Sequence, residues 1–312
     1  LYRHGVTRLQ LRPSRQASTN GSILGEQAMR NITALVIAPA ALLVVIGCDL
    51  ASIDPGGGAV SQTTVSVRGG VDVAPPLTDK GNGGEPVVTG PPGSLVGTIL
   101  IDGTAPKLAP LVSKSASKVD PEVCAAAEAI PDESLVVGDN GGLANVFVYL
   151  TKKPKGMEFE VPETQPFLDQ ETCIFKPHTL VFWAGVEFEL KNSDKVAHNI
   201  DAKPASNGGF NENMPPGASV TKSFRNTEAL PFQSTCAIHP WMRFWTLIVD
   251  HPFVAVTDAN GNFEIPNLPA GKHKFRVFQE RAGQLERSIE VVVGPGEPTK
   301  VEWKYPASEF GL

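Results

Sequence analysis

Cys236-Ala237-Ile238-His239-Pro240-Trp241-Met242 puts a thiol, an imidazole and a thioether within one short stretch. These are the soft and borderline donors that copper prefers. A second imidazole, His198, precedes Cys236 in Lys191-Asn192-Ser193-Asp194-Lys195-Val196-Ala197-His198-Asn199-Ile200. Two histidines and one cysteine in a plane, with a weak axial methionine, make a blue-copper electron-transfer site. Any one of the four residues alone reads as an ordinary core side chain. All four, in this order and at this spacing, point to a metal centre.

Both segments resemble the cupredoxins, the family of plastocyanin, pseudoazurin and amicyanin. In that family one histidine comes from a strand end written much like Asn192-x-Asp194-x-x-x-His198-Asn199, and the other ligands come from a single late loop. The tight Cys-x-x-His-Pro-aromatic-Met spacing is most similar to amicyanin; the other two have a longer interval between His and Met. The resemblance covers roughly residues 165–250 and includes Phe175-x-Pro177, Gly185 and Pro216-Gly217. It implies one type 1 copper ion with His198, Cys236 and His239 as strong ligands and Met242 as the axial one. It implies that Asn199 ties the first ligand strand to the ligand loop, a device that fixes donor geometry before the metal arrives. It also implies a partly exposed His239 as the electron portal.

The rest of the sequence agrees with an all-β protein. Short Val/Ile/Phe/Thr-rich runs bounded by Gly, Pro, Asn and Asp recur through the second half, with 30 Gly and 27 Pro in 312 residues. The expected architecture is a Greek-key cupredoxin β-sandwich plus a second, smaller β-sandwich behind a disordered N-terminal tether. The net charge is −6, and the basic residues 1–47 carry five Arg against one Glu, which leaves −10 for the remainder. An acidic chain without a basic patch excludes nucleic acid as a partner.

At the N-terminus, residues 1–28 are polar, Arg-bearing and aperiodic, and we read them as a gene-model extension before Met29. Residues 29–47 resemble a bacterial lipoprotein signal peptide: Arg30 opens an apolar run that is short for a membrane span and ends in Val45-Ile46-Gly47-Cys48. Cys48 is then the lipidation site, and the protein is exported and membrane-anchored on the periplasmic or outer surface. The alternative is an uncleaved single anchor. Residues 48–92 are too rich in Gly, Pro, Ser and Thr to bury a core and read as a disordered linker, about 35–40 Å across.

Folded sequence begins at Gly93-Ser94-Leu95-Val96-Gly97-Thr98-Ile99-Leu100-Ile101, an alternating strand. A second alternating strand is expected over Leu143–Leu150, and further strands after the metal loop, the last over Ser288–Val293. Asn260-Gly261 between strand-like runs predicts a hairpin. The pattern Thr257-Asp258-x-x-Gly261-x-Phe263-x-Ile265-x-x-Leu268-Pro269-x-Gly271 resembles the carboxypeptidase regulatory-like domain, a transthyretin-like β-sandwich. That resemblance implies a host domain split into 93–150 and 254–305, with a cupredoxin domain over 155–252 inserted. The plainer alternative is tandem β segments without insertion.

Cysteine arithmetic completes the reading. With Cys48 given to lipid and Cys236 to copper, Cys124 and Cys173 are left as a disulfide candidate in an oxidising compartment. His178 is expected near the pole of His198, after a fold-back at Gly185, in a structural role. His251 is expected at a domain junction, His273 in a host turn, and His4 lies in the extension. The function these features imply is single-electron transfer between redox protein partners at the membrane. Copper storage or delivery, or a surface protein with a copper-stabilised domain, are the alternatives. A self-contained copper oxidase or nitrite reductase is disfavoured by only six His and no His-x-His pair. The protein is therefore not expected to be an enzyme.

Overall fold

The structure is a computed structural model that describes residues 90–312. The extension 1–28, the signal-like segment 29–47, Cys48, His4 and the linker as far as residue 89 lie outside the described residues. Among the described residues the fold is all-β, with one 3-10 turn at Ala307–Phe310. The strands in chain order are β1 Gly93–Asp102, β2 Phe147–Leu150, β3 Asp169–Glu171, β4 Ile174–Lys176, β5 Thr179–Trp183 and β6 Glu187–Lys191. They continue with β7 His198–Ala202, β8 Phe210–Met214, β9 Ser219–Ser223, β10 Phe232–Thr235 and β11 Arg243–Val249. The last five are β12 Val254–Val256, β13 Asn262–Leu268, β14 Gly271–Gln279, β15 Gly283–Val293 and β16 Pro298–Pro306.

One sandwich joins the two ends of the described chain. Its first sheet is β13-β1-β16 and its second is β12-β2-β14-β15. β1 pairs antiparallel with β13 and parallel with β16, and β2 pairs antiparallel with both β12 and β14. Leu95 and Ile99 of one sheet and Val148, Phe275 and Val277 of the other share a core around the fully buried Trp303. The other sandwich holds the sheet β5-β11-β10-β7-β8 opposite the pair β6-β9. β3 reaches that pair through a bridge from Leu168 to Leu190. Its core packs Phe175, Phe182, Phe188, Ile200, Met214 and Ile248.

Two strands carry the seam between the sandwiches, and period-two geometry explains how. In β2, Val148 and Leu150 face the first core while Phe147 and Tyr149 face outward. In β11, Phe244 and Ile248 face the second core while Leu247 and Val249 face outward. The two outward faces meet, together with Phe278, in a third buried cluster. That is why all four residues of β2 are buried and why β11 is buried on both faces from Thr246 to Val249.

Several sequence expectations need correction. Asn260-Gly261 does not close a hairpin: β12 joins β2 and β13 joins β1, so the turn carries the chain between sheets. Asp258 closes it by accepting the amides of Asn260 and Asn262. Gly261 sits at φ +79°, and a Cβ there would lie 2.3 Å from the Ile99 carbonyl oxygen. Gly185 likewise passes the chain from one sheet to another, since β5 pairs with β11 and β6 with β9. The second strand starts at Phe147, not Leu143, because Asn145 takes φ +61° and breaks the ladder. β15 begins at Gly283, five residues earlier than Ser288. Sequence reading missed β16, although Thr299, Val301, Trp303 and Tyr305 alternate inward along it.

Candidate metal centre

β7 begins at His198, β10 ends at Thr235 just before Cys236, and β11 begins at Arg243 just after Met242. β10 pairs with both β7 and β11, so pairing alone brings both donor segments to one edge of the sheet. The loop between β10 and β11 is tight. The Cys236 amide donates to the Met242 carbonyl at 3.1 Å, and the Met242 amide donates to the His239 carbonyl at 2.9 Å.

The donors converge. His198 Nδ1 and His239 Nδ1 face each other at 2.9 Å, and Cys236 Sγ lies 3.9 Å from His239 Nδ1. A ring nitrogen of His198, one of His239 and the Cys236 sulfur all lie within 4.8 Å of one another, and all three residues are buried. Met242 is fully buried in the same core. Asn199 links strand and loop: its side-chain oxygen accepts the Ala237 amide at 2.7 Å, and its backbone N–H donates to Cys236 Sγ at 3.5 Å.

The outer nitrogens of both imidazoles are held by carboxylates. His198 Nε2 lies 2.8 Å from Asp194 Oδ2, and His239 Nε2 lies 3.0 Å from Asp120 Oδ2. A carboxylate that accepts a hydrogen bond from Nε2–H favours the tautomer whose Nδ1 lone pair faces inward, the one a metal requires. Asp194 is itself fixed by the amides of Thr172 and Cys173. Burial alone would raise its pKa, but His198 and those two amides hold the carboxylate below its ordinary value. Burial also opposes protonation of His198, and Asp194 and Cys236 outweigh it, so that imidazole is raised. For Cys236, burial pushes the thiol up, yet the imidazoles of His198 and His239 and the backbone amides of Asn199 and His239 beside the sulfur bring it down to about 5. The cluster therefore favours a thiolate, the form that binds metal. A buried pair of inward-facing nitrogens and a thiolate fits a soft or borderline cation such as copper.

No protein-family model and no curated protein sequence matches the chain. Solved structures do. The Cu-containing nitrite reductase (NirK) from Thermus scotoductus SA-01 matches at 16% identity and a TM-score of 0.26, over 32% of this chain but only 25% of its own length. A purple cupredoxin from Nitrosopumilus maritimus matches at 18% identity and 0.23, over 27% of this chain and 98% of its own. Amicyanin from Paracoccus versutus matches at 18% identity and 0.25, over 33% of this chain and 97% of its own. These neighbours are cupredoxins in whole or in part, and each match is confined to about a third of this chain. Scores and identities this low carry no inference about function; the strand order and the donor geometry stand by themselves.

The expectation of a partly exposed His239 is wrong. Its exposure is 0%. The segment between β1 and β2 lies over it, bringing Asp120 to its outer nitrogen, and Cys124 of that segment is disulfide-bonded to Cys173. Sequence reading placed Asp194 in the family pattern without giving it a role, and it missed Asp120. Asp194 was visible four residues before His198, while Asp120 lies 119 residues from His239 with no local pattern to mark it.

The set-aside residues fall elsewhere. His178 is buried at the seam, its Nε2 2.8 Å from Glu280 and its Nδ1 3.7 Å from Glu133. Glu280 also accepts the Trp245 indole N–H. The carboxylates sit at opposite nitrogens of the ring, so these groups do not surround a common point. His251 is buried beside Phe253, and His273 is bonded through Nε2 to the Pro269 carbonyl. Trp241 donates to the Cys173 carbonyl, and its ring centre lies 5.3 Å from that of His239.

Proposed function

We propose that the chain is a copper-binding electron-transfer protein of cupredoxin type, and that it is not an enzyme. The observation that carries this is the convergence of His198 Nδ1, His239 Nδ1 and Cys236 Sγ in a buried cluster. His198, Cys236 and His239 would hold the ion strongly and Met242 would be a fourth, weaker donor. A copper ion there would supply one-electron redox chemistry.

The chain's own residues supply rigidity. Asn199 joins the two donor segments, the carboxylates hold the outer nitrogens of both imidazoles, and Pro240 limits the loop by fixing φ. Such preorganisation keeps the donors in nearly one arrangement whatever the metal charge. A burial this complete favours retention over delivery. Protein-film voltammetry of the copper-loaded chain tests the reading. It should give a reversible one-electron wave, whereas slow, irreversible electron exchange would move the reading to storage or delivery.

The setting extends the proposal. The β1–β13, β1–β16 and β2–β14 pairings support a host sandwich of 93–150 with 254–305, of the carboxypeptidase regulatory-like kind, around an insert over 155–252. The Val45-Ile46-Gly47-Cys48 box supports lipidation at Cys48, export and a redox protein partner near the membrane. Mass spectrometry of the native N-terminus should find a lipidated Cys48; an unmodified cysteine would overturn that part alone.

A further inference from the structure

The unexplained feature of the site is that its loop histidine is closed off by the connection between two strands of the other sandwich, whose Cys124, Ala125 and Ile130 pack into the core of the sandwich that holds the cluster. We propose that residues 104–135, between β1 and β2, are a stapled cap over the donor cluster, and that Asp120 on this cap is the positioning residue for His239. The metal role of His239 rests on the copper reading above; the cap and its contact do not.

Each imidazole of the cluster needs an outer acceptor if its Nδ1 is to point inward. His198 finds one in its own sandwich, Asp194. The sandwich holding His239 provides none: the acceptor is Asp120 Oδ2, at 3.0 Å, from a segment that precedes that sandwich. The imidazole of His239 is 0% exposed while the Asp120 carboxylate is 38% exposed, so solvent meets the aspartate and not the ring. Asp120 thus stands where the edge of a loop histidine would otherwise meet water.

The segment is anchored so that the contact persists. Cys124 is joined to Cys173, and both sulfurs lie within 4.8 Å of a ring nitrogen of His239. The Asp120 carbonyl accepts the amides of Val123 and Cys124, which ties the aspartate backbone to the staple. Inside the cap, Val112 and Ile130 exchange backbone hydrogen bonds. At its far end Asp132 accepts from Arg243, the residue after Met242, at 3.0 Å. Asp120 itself has φ +47°, a conformation that Asp and Asn tolerate better than other side chains.

The test is made on the metal-free full chain. Diethyl pyrocarbonate acylates accessible imidazoles, and peptide mass mapping reads the rate at His239 against the same residue in the urea-unfolded chain. The native protein should protect His239 strongly. Asp120→Ala should cost about tenfold of that protection, as expected for loss of a charge-assisted hydrogen bond. Asp120→Asn keeps a carbonyl acceptor and tolerates the backbone, so it should restore most of it. In the copper-loaded chain, Asp120→Ala should also shift the visible band, and Asp120→Asn should reverse the shift. A native His239 that reacts as fast as in the unfolded chain overturns the cap. Full protection retained in Asp120→Ala overturns the role of Asp120. Protection without any copper binding keeps the cap and refutes only the copper reading.

Discussion

At the residue scale the chemistry is set by how buried polar groups are partnered. In the proposed copper site Met242 is a donor of small weight, so Met242→Leu should keep the thiolate colour of the copper-loaded protein and raise its potential, because a weak donor favouring Cu(II) is lost. Voltammetry beside the absorption spectrum checks both halves; loss of colour would mean that Met242 shapes the loop. Tyr149 offers a test free of metal. Burial raises its phenol to about 12 from 10.0, and its hydroxyl donates to the Ala229 carbonyl. Folding therefore favours the neutral form, and its stabilisation is whole below the unfolded value and lost as pH rises through the folded one. Two units correspond to about 3 kcal/mol. Burial raises Tyr305 as well, so the comparison is between the native chain and Tyr149→Phe, which should lose less stability in urea melts between about pH 10 and 12. Equal losses would show that the phenol is not held neutral. The convergence of His198, Cys236 and His239 was legible because two of the three sit in one loop with a distinctive spacing. Their carboxylate partners were not, because an acceptor for an imidazole can come from anywhere in the fold, and Asp120 comes from the connection between β1 and β2.

At the scale of elements, alternation decides burial but not partnership. β1 was legible from its period of two, and so was the inward face of β13, where Phe263, Ile265 and Leu268 are buried. Turn chemistry at Asn260-Gly261 correctly marked a reversal, yet a tight turn does not say which sheet the next strand joins. That depends on the cores on either side, which are non-local. The double-faced strands are the elements on which the assembly depends most. Leu247 is fully buried at the seam, so Leu247→Ala should cost about 3 kcal/mol, the usual range for a core leucine. Urea denaturation measures it. A cost below about 1 kcal/mol would show that the seam is loosely packed and that the two sandwiches are energetically separate.

At the scale of the whole molecule, the candidate metal centre draws on elements beyond its own sandwich. One sandwich contributes His198, Cys236, His239 and Met242, and the connection between β1 and β2 of the other packs Cys124 into the same core and brings Asp120 to His239. The disulfide spans a sequence separation of 49 residues, and in the chain-entropy model that loop contributes about 4 kcal/mol. Cys124→Ser with Cys173→Ser should therefore lower the unfolding midpoint and loosen the cap; an unchanged midpoint would show that the staple adds nothing. The central claim is that His198, Cys236, His239 and Met242 form one copper site, and titration of Cu(II) into the metal-free chain, followed by absorption and EPR, tests it most directly. The account predicts saturation at one copper per chain, an intense visible thiolate-to-Cu(II) band with a type 1 EPR signal, and loss of both in Cys236→Ser. A colourless complex with an ordinary tetragonal Cu(II) signal, unchanged by Cys236→Ser, would contradict it.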